Sequence, residues 1–418
     1  MLQPEIESYL QRCAREFGLE PHIRFNTTIT RAIYQQPGNW LLVTDSGEEK
    51  VFNIVINAMG NQHTAIYPDI EGLADFRGES WHSTFWNHDV ALEGKRIAVV
   101  GSAAAAVQIV PELAKVASQL YVLQRTPNWI LPRNKKDYSP LTLSLFKRFP
   151  ALAGVLRKFQ GKLMGMMHQG ALLGNKRMEF FENMGRKTIR KLVNDKSLHE
   201  ALTPKSRFGC KRPLVSDDFY PSFNRDNVSL VPAAAKKINT RGIETADGQQ
   251  LDVDIIIYCT GYRVMDFDRI DILGQHGQKL GDVMEQAPEA YKGIAVPGFP
   301  NYFFGAGPNG IVLSVTYFSS IETNVECIVR LITEMQDRAA SEIAVKPELH
   351  KTYNDWLKSR FSDFSWGHSS CNSYYQTATG ATPFLYPGDF NMFSEQQANC
   401  SIEEFDVVTT DSDRQAHG

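Results

Sequence analysis

The segment from residue 97 to 116 constrains the fold more than any other part of the chain. Four apolar residues, 97–100, lead directly into the small-residue turn Gly101-Ser-Ala-Ala-Ala-Ala106, and a helical stretch follows over residues 107–116. A continuous apolar run predicts a strand buried on both faces, as strands are in parallel sheets. A buried strand that turns tightly into a helix is the βα unit of dinucleotide-binding domains. The sequence therefore predicts an α/β fold with a Rossmann-like parallel sheet.

The turn itself indicates a site for nucleotide phosphates. Such turns use glycines for tightness, for close approach of the pyrophosphate and for packing of the helix on the sheet. Gly101 fills the first place, while Ala103 and Ala106 fill the second and third. Alanine suits the packing place, but the methyl group of Ala103 should hold the pyrophosphate further out. The pattern is weak on its own and needs support from the next strand.

That support comes from Arg125, at the end of the next predicted strand. Enzymes that bind NAD carry an acid there for the ribose 2′-hydroxyl, whereas an arginine accommodates the 2′-phosphate of NADP. A guanidinium also matches a phosphate geometrically. The alternative is a solvated surface arginine, and the spacing from Gly101 favours the NADP site.

A second motif, F-x-G-x-x-x-H-x-x-x-W, lies just upstream of this unit. The residues that form it are Phe76, Gly78, His82 and Trp86. The motif resembles the fingerprint of Baeyer–Villiger monooxygenases, flavoenzymes that use NADPH and O2. The resemblance continues in four further segments, residues 120–133, 209–228, 291–309 and 366–388. It implies a flavoprotein with two dinucleotide-binding domains, with FAD and NADPH as cofactors and a small-molecule ketone and O2 as substrates.

The resemblance also implies roles for single residues on the NADP side. Arg212 is the implied catalytic arginine, whose fixed charge stabilises the anion that forms during attack on the ketone. Lys211 is an implied second ligand of the NADP phosphate. The further implied NADP ligands, beside the turn and Arg125, are Ser102, Gln108 and Thr126. His82 and Trp86 would anchor the linker between the two domains.

The flavin side of the resemblance is less complete. Residues 51–57 are predicted to form a strand that ends in Ala58-Met59-Gly60, where the family has Ala-Thr-Gly, and Gly60 would let the backbone approach FAD. A plain turn glycine is the alternative, and Ile29 is a second implied FAD contact. The G-x-G-x-x-G motif for the FAD pyrophosphate does not precede Gly101. We therefore expect an FAD domain truncated at its N-terminus, with residues 51–57 at an exposed edge and no tightly bound flavin.

Changes in composition along the chain predict six regions. They are a partial FAD domain and linker (1–90), the first part of the NADP-binding domain (91–137), a helical insertion (138–207), the second part of the NADP-binding domain (208–262), the FAD-domain return and C-terminal region (263–393), and a loose polar tail (394–418). Within the first region we expect a helix over residues 5–17, ended by Gly18, and strands over residues 23–30, 40–44 and 51–57.

Composition limits the partners and the location. A net charge of −3 gives no reason to expect nucleic acid or an anionic membrane surface. The longest mostly apolar stretch, residues 97–110, is too short to span a bilayer. The six cysteines are scattered without metal-ligand spacing. This distribution predicts reduced thiols, no metal site and a cytoplasmic protein.

Two other functions stay open at this point. Related flavin monooxygenases oxygenate nitrogen or sulfur, although the complete motif around His82 favours ketones. A non-catalytic NADP-binding remnant, or a gene fragment without FAD, would account for the missing FAD motif. The absorption spectrum of the purified chain separates these readings, because a bound flavin carries its own chromophore.

Overall fold

A computed structural model describes residues 3–60, 62–134, 138–371, 373–377 and 380–409. The helices are α1 (Gln3–Glu16), α2 (Ala104–Val116), α3 (Pro140–Arg148), α4 (Pro150–Gly170), α5 (Lys176–Leu192), α6 (Leu198–Leu202), α7 (Phe219–Ser222), α8 (Leu280–Gln286), α9 (Tyr317–Asp337), α10 (Pro347–Phe361) and α11 (Phe390–Ala398). The strands are β1 (Ile29–Gln35), β2 (Asn39–Thr44), β3 (Glu49–Phe52), β4 (Val55–Asn57), β5 (Thr64–Ala65), β6 (Glu79–His82), β7 (Arg96–Val100), β8 (Gln119–Leu123), β9 (Ile130–Leu131), β10 (Leu214–Val215), β11 (Val228–Val231), β12 (Ala235–Asn239), β13 (Gly242–Thr245), β14 (Gln250–Asp252), β15 (Ile255–Tyr258), β16 (Tyr262–Arg263), β17 (Asp271–Leu273), β18 (Tyr302–Phe304), β19 (Ala340–Val345) and β20 (Phe405–Thr409).

A parallel sheet of five strands, in the order β11-β8-β7-β15-β6, carries the predicted βα unit. Alternate residues of β7 point to opposite faces of the sheet. Ile97 and Val99 pack against α2 and α7, whereas Ala98 and Val100 pack against the antiparallel sheet β12-β13-β14. Because both faces are covered, the strand needs an unbroken apolar sequence. The predicted α/β fold is confirmed, with α2 beginning at Ala104 rather than at residue 107.

The first predicted helix and strand are only partly correct. The helix is present as α1, and Gly18 follows it at a φ of 64°, but none of its residues is buried. The strand predicted over residues 23–30 begins only at Ile29. The segment before it contains the 3-10 turn Glu20–His22, and Asn26 has a left-handed φ of 51°, which no strand accommodates.

The strand predicted over residues 51–57 is two strands that belong to different sheets. β3 pairs with β2, in the sheet β17-β1-β2-β3, whereas β4 pairs in parallel with β18. The break between them is held by Asn301, whose side-chain amide donates to the carbonyl of Asn53 at 3.0 Å. This contact joins distant parts of the chain and leaves no local signal in the apolar pattern.

The predicted helical insertion is present as α3 to α6. Helix α5 buries Met178 and Phe181 in a cluster with Trp129 and Phe208. In contrast, α3 has no buried residue, and α4 buries residues only in its last turn. The insertion is therefore attached mainly through α5, while α3 and α4 lie largely in solvent. Within the described ranges, no helix is long and apolar enough to cross a membrane.

The prediction of a loose tail from Ser394 is wrong for residues up to Thr409. Strand β20 pairs antiparallel with β19, and a few well-placed apolar residues are fully or almost fully buried. Cys400, Ile402 and Phe405 pack in a cluster with α9. The average composition of this segment is polar, so its three buried residues could not be recognised from composition. Residues 410–418 lie outside the described part of the chain.

The prediction that all cysteines are reduced is also wrong. Cys210 and Cys371 form a disulfide between residues 161 positions apart. Cysteine spacing alone gave no sign of this pairing, because the two segments meet only in the folded chain. The other thiols are free, and three of them, Cys259, Cys327 and Cys400, are buried.

Candidate functional site

A cavity of about 790 Å³ opens at the carboxyl ends of the parallel sheet. Every strand of the sheet contributes a residue just beyond its end, namely Ser83, Gly101, Arg125, Ala233 and Cys259. On one side of the cavity the chain proceeds from β7 to β8 and β11, and on the other side lie β15 and β6. The cavity therefore straddles the point where the strand order reverses. Open α/β sheets bind their ligands in this crevice.

The turn between β7 and α2 lines this cavity with Gly101, Ser102 and Ala103. Gly101 has a φ of 113°, and a Cβ on it would lie 2.5 Å from the carbonyl oxygen of Cys259. Only glycine therefore permits this close approach of the turn to β15. Ala103 is the N-cap of α2 and has no side-chain acceptor for the first N–H groups of the helix. These N–H groups stay available to an anionic ligand.

Two predicted phosphate ligands, Arg125 and Lys211, lie close together in the cavity. Burial, and then the nearby charge of Arg125, lower the pKa of Lys211 below its ordinary value. Within the described residues, neither cation forms an ion pair with a carboxylate. An anion bound between them would relieve their repulsion and form charge-assisted hydrogen bonds. Thr126 lines the cavity beside them, and its carbonyl accepts a 3.4 Å hydrogen bond from the hydroxyl of Ser102.

Arg212, the predicted catalytic residue, lines the same cavity next to Tyr374. The positive charge of Arg212 acts on the Tyr374 hydroxyl. Burial raises the pKa of this hydroxyl, and the guanidinium opposes the rise. The Cys210–Cys371 disulfide joins the two segments that carry these side chains. Arg212 has no carboxylate partner in the part of the chain that the structure describes, so its donors are available to a reacting anion.

The first half of the F-x-G-x-x-x-H-x-x-x-W motif leads into a strand. Gly78 immediately precedes β6, and a Cβ on it would lie 2.4 Å from the carbonyl oxygen of Asp254. Phe76 packs on the face of the sheet that the antiparallel strands cover. The motif was predicted as a linker, but its central residues form the edge strand of the sheet, paired in parallel with β15.

The second half of the motif is buried at the end of this strand. His82 is fully buried, and its Nδ1 accepts a 3.2 Å hydrogen bond from the backbone N–H of Thr84. Burial lowers the pKa of His82, which favours the neutral ring. Its ring contacts the ring of Tyr262, a cavity-lining residue. Trp86 packs edge-on against Trp81. These contacts place His82 behind the cavity wall rather than inside the cavity.

The predicted FAD contact Gly60 lies at a second cavity, of about 60 Å³. Residues 57–60 and 304–306, which end the paired strands β4 and β18, line this cavity. Gly60 has a φ of 75°, and no described atom lies within 4 Å of the place where a Cβ would stand. Ile29, at the start of β1, is not among the described residues that line it. Ligand pockets usually have volumes of about 300–1,000 Å³. A cavity of about 60 Å³ is too small for a whole flavin, so the described residues provide only one open edge of a flavin site.

Two predicted NADP ligands, Ala106 and Gln108, are not among the described residues that line the large cavity. Ala106 is fully buried between α2 and the sheet, which suits a packing position. Gln108 donates to the carbonyl of Ala104 in its own helix at 3.0 Å. Conversely, Asn128 was not predicted, yet it lines the cavity and donates to the carbonyl of Ser102 at 3.2 Å. The signal for Asn128 was available, because it lies within the matched segment 120–133.

Known proteins resemble the chain over nearly its whole length. The sequence profile of the FMO-like group, described as flavin-binding monooxygenase-like, matches residues 1–272. The chain is 32% identical to a Baeyer–Villiger monooxygenase of Pseudomonas aeruginosa, over 98% of this chain and 78% of that protein. It is 28% identical to a Baeyer–Villiger monooxygenase of Streptomyces coelicolor, over 97% of this chain and 79% of that protein. The crystal structure of OTEMO in complex with FAD and NADP matches with a TM-score of 0.86 at 28% identity, and the match covers 98% of this chain and 85% of OTEMO.

Proposed function

This chain belongs to the flavin-binding monooxygenase-like family, and we propose that it is an NADPH- and O2-dependent monooxygenase of the Baeyer–Villiger type. It converts a ketone into an ester or lactone, with FAD and NADPH as cofactors. The observation that carries the proposal is the position of three cations, Arg125, Lys211 and Arg212, around one cavity where the strand order reverses. Two of them suit a phosphate, and the third remains for the reaction.

The large cavity fits a nicotinamide dinucleotide. Its volume lies within the range of cofactor pockets. The free N–H groups at the start of α2 would bind the pyrophosphate, and Gly101 presents no side chain in its path. Arg125 and Lys211 would bind the 2′-phosphate, because neither has a carboxylate partner among the described residues. Asn128 holds the turn in place through the carbonyl of Ser102.

The catalytic contribution of the chain itself lies at Arg212. When bound, NADPH supplies a hydride and the flavin activates O2. The backbone at Gly60 would hold one edge of the flavin, because an open glycine permits close approach. Arg212 fixes a positive charge at the cavity and stabilises the anion that develops when the ketone carbonyl is attacked. Tyr374 lines the cavity beside this guanidinium, whose charge acts on the Tyr374 hydroxyl.

The flavin spectrum of the purified chain is recorded after incubation with FAD and removal of unbound FAD, and turnover is measured with FAD added. We expect a flavin absorption spectrum, ketone-dependent NADPH oxidation and an ester or lactone detected by mass spectrometry. Arg212→Ala should lower product formation by about 100-fold or more, as loss of one fixed charge or donor at a developing anion does, while NADPH binding persists. Oxygenation of sulfides or amines without any ester would contradict the ketone assignment. Absence of both the flavin spectrum and turnover would contradict the assignment of this chain as a flavin-dependent enzyme.

The nucleotide assignment has its own test in Arg125→Ala. Loss of a charge-assisted phosphate contact costs about 1.5–3 kcal/mol, so NADPH should bind about 10-fold to 150-fold more weakly. NADH, which lacks the phosphate, should bind almost as before. Arg133→Ala is the matched control, because Arg133 is exposed, follows the next strand, β9, and does not line the cavity. Equal affinity of the unaltered chain for NADPH and NADH would overturn the assignment.

A further inference from the structure

The helical insertion carries a concentration of positive charge that the proposed reaction does not use. Residues 138–178 contain seven lysines and arginines and no aspartate or glutamate, although the whole chain has a net charge of −3. Five of these cations lie on α3 and α4, and none of the five forms an ion pair within the described residues: Lys147, Arg148, Arg157, Lys158 and Lys162. This part of the insertion is therefore a local basic surface without internal neutralisation.

An apolar row runs along α4 on the same surface. Leu152, Val155, Phe159 and Leu163 are three or four residues apart and therefore share one face of the helix. All four are exposed, from 48% for Leu152 to 67% for Val155. Large apolar side chains in a continuous exposed row, rather than scattered singly, are typical of an interaction surface.

The row is extended by α3 and bordered by lysines. Leu141 on α3 is 72% exposed, and Phe149, between α3 and α4, is 51% exposed. Lys158 and Lys162 each stand one position before a member of the apolar row, which places them about 100° around the helix. The apolar row and its flanking cations form the pattern of an amphipathic helix that lies in a membrane interface.

We propose that α3 and α4 form an interfacial anchor that binds the surface of anionic phospholipid membranes. The apolar row would enter the boundary between headgroups and acyl chains, and the flanking lysines would contact lipid phosphates with their flexible ends. Charge complementarity favours this occupant, since the surface holds cations and no acid. A second copy of the chain is a poorer occupant, because two such surfaces would bring unneutralised cations together.

Flotation of the full-length, FAD-supplied protein with pure lipid vesicles tests the anchor. We expect binding to phosphatidylcholine vesicles that contain phosphatidylglycerol, little binding to phosphatidylcholine alone, and weaker binding as salt is raised. The double variant Lys158→Glu/Lys162→Glu should bind at least about 25-fold more weakly, because loss of each cation near an anionic surface costs about fivefold and each glutamate adds repulsion. Val155→Ser/Phe159→Ser should bind at least about 10-fold more weakly, because the apolar insertion is lost.

Matched controls separate the anchor from general effects. Lys187→Glu/Lys191→Glu makes the same charge change, at the same spacing, on exposed positions of the neighbouring α5. Phe318→Ser removes an equally exposed aromatic residue, 69% exposed, from α9. Both controls should bind vesicles like the unaltered chain, and NADPH oxidation without lipid reports that each variant is folded.

Three results would overturn the proposal. The first is equal binding to neutral and anionic vesicles, or no binding to either. The second is an equal loss of binding in the α4 variants and in the controls on α5 and α9. The third is a dimer in sedimentation velocity that Val155→Ser/Phe159→Ser dissociates, without vesicle binding by the unaltered chain. That last outcome would assign the surface to a second copy.

Discussion

Replacing Gly101 with alanine perturbs the contact between the nucleotide turn and β15. The backbone at Gly101 has a φ of 113°, and the added Cβ would lie 2.5 Å from the carbonyl oxygen of Cys259. An L-residue in such a conformation costs about 1–3 kcal/mol. Overpacking adds about 1–3 kcal/mol, because the obstructing atom is backbone and cannot rotate aside. We therefore expect Gly101→Ala to lower the free energy of unfolding by about 2–6 kcal/mol.

Gly94→Ala is the matched control for backbone strain. Gly94 has a φ of 71°, and among the described residues no atom lies within 4 Å of the added Cβ. This variant should therefore lose only the strain energy, about 1–2 kcal/mol. Urea denaturation measures both free energies, and titration of the folded proteins with NADPH measures binding.

The two variants should also differ in function. Gly101→Ala should weaken NADPH binding, because the turn must move away from Cys259 and carries the start of α2 with it. Gly94→Ala should leave NADPH binding unchanged. Equal losses of stability in the two variants, or unchanged NADPH binding in Gly101→Ala, would refute the close-packing argument.

Three further predictions concern the turn, the disulfide and the buried histidines. Ala103→Gly should strengthen NADPH binding, because it removes a methyl group from the path of the pyrophosphate; unchanged or weaker binding in calorimetry would mean that the turn has adapted to alanine. Cys371→Ser removes the link to Cys210 and should cost about 2–5 kcal/mol of stability, and a reductant should then destabilise the unaltered chain but not this variant. Burial lowers the pKa of His168 and His350, so below pH about 6.5 the unfolded chain binds protons that the folded chain does not. Stability should therefore fall as the pH drops through 6, by up to about 1.4 kcal/mol per pH unit for each histidine, and His168→Gln should reduce this slope in chemical denaturation at several pH values.

The parts of the fold that could be predicted are those where a local pattern decides the structure. Residues 97–100 need apolar side chains on both faces, so their sequence reveals the central strand directly. The break between β3 and β4 could not be predicted, because it depends on a hydrogen bond from Asn301, far along the chain. The packed segment after Ser394 was missed for a related reason. Cys400, Ile402 and Phe405 hold it by burial, and their effect disappears in an average over a polar stretch.

The candidate site also has parts that could be predicted from the sequence and parts that could not. Arg125, Lys211 and Arg212 could be predicted from motifs, and the structure gathers them in one cavity. The proximity of Tyr374 to Arg212 could not be predicted, since it follows from a disulfide between distant cysteines. The basic surface on α3 and α4 was missed because the net charge of the whole chain conceals a local excess of cations. A whole-chain net charge near zero therefore does not exclude a local surface that binds anions.

The walls of the large cavity come from residues spread between Gln62 and Tyr374. Among the described residues, no contiguous segment lines the whole cavity, and forming contacts across such long separations is slow. The nucleotide consequently recognises the completed fold and not its intermediates. At a concentration 100 times its Kd, a ligand of this kind adds about 2.7 kcal/mol to stability. In a cell, the supply of NADPH would then govern how much of this protein survives proteolysis as well as how fast it works.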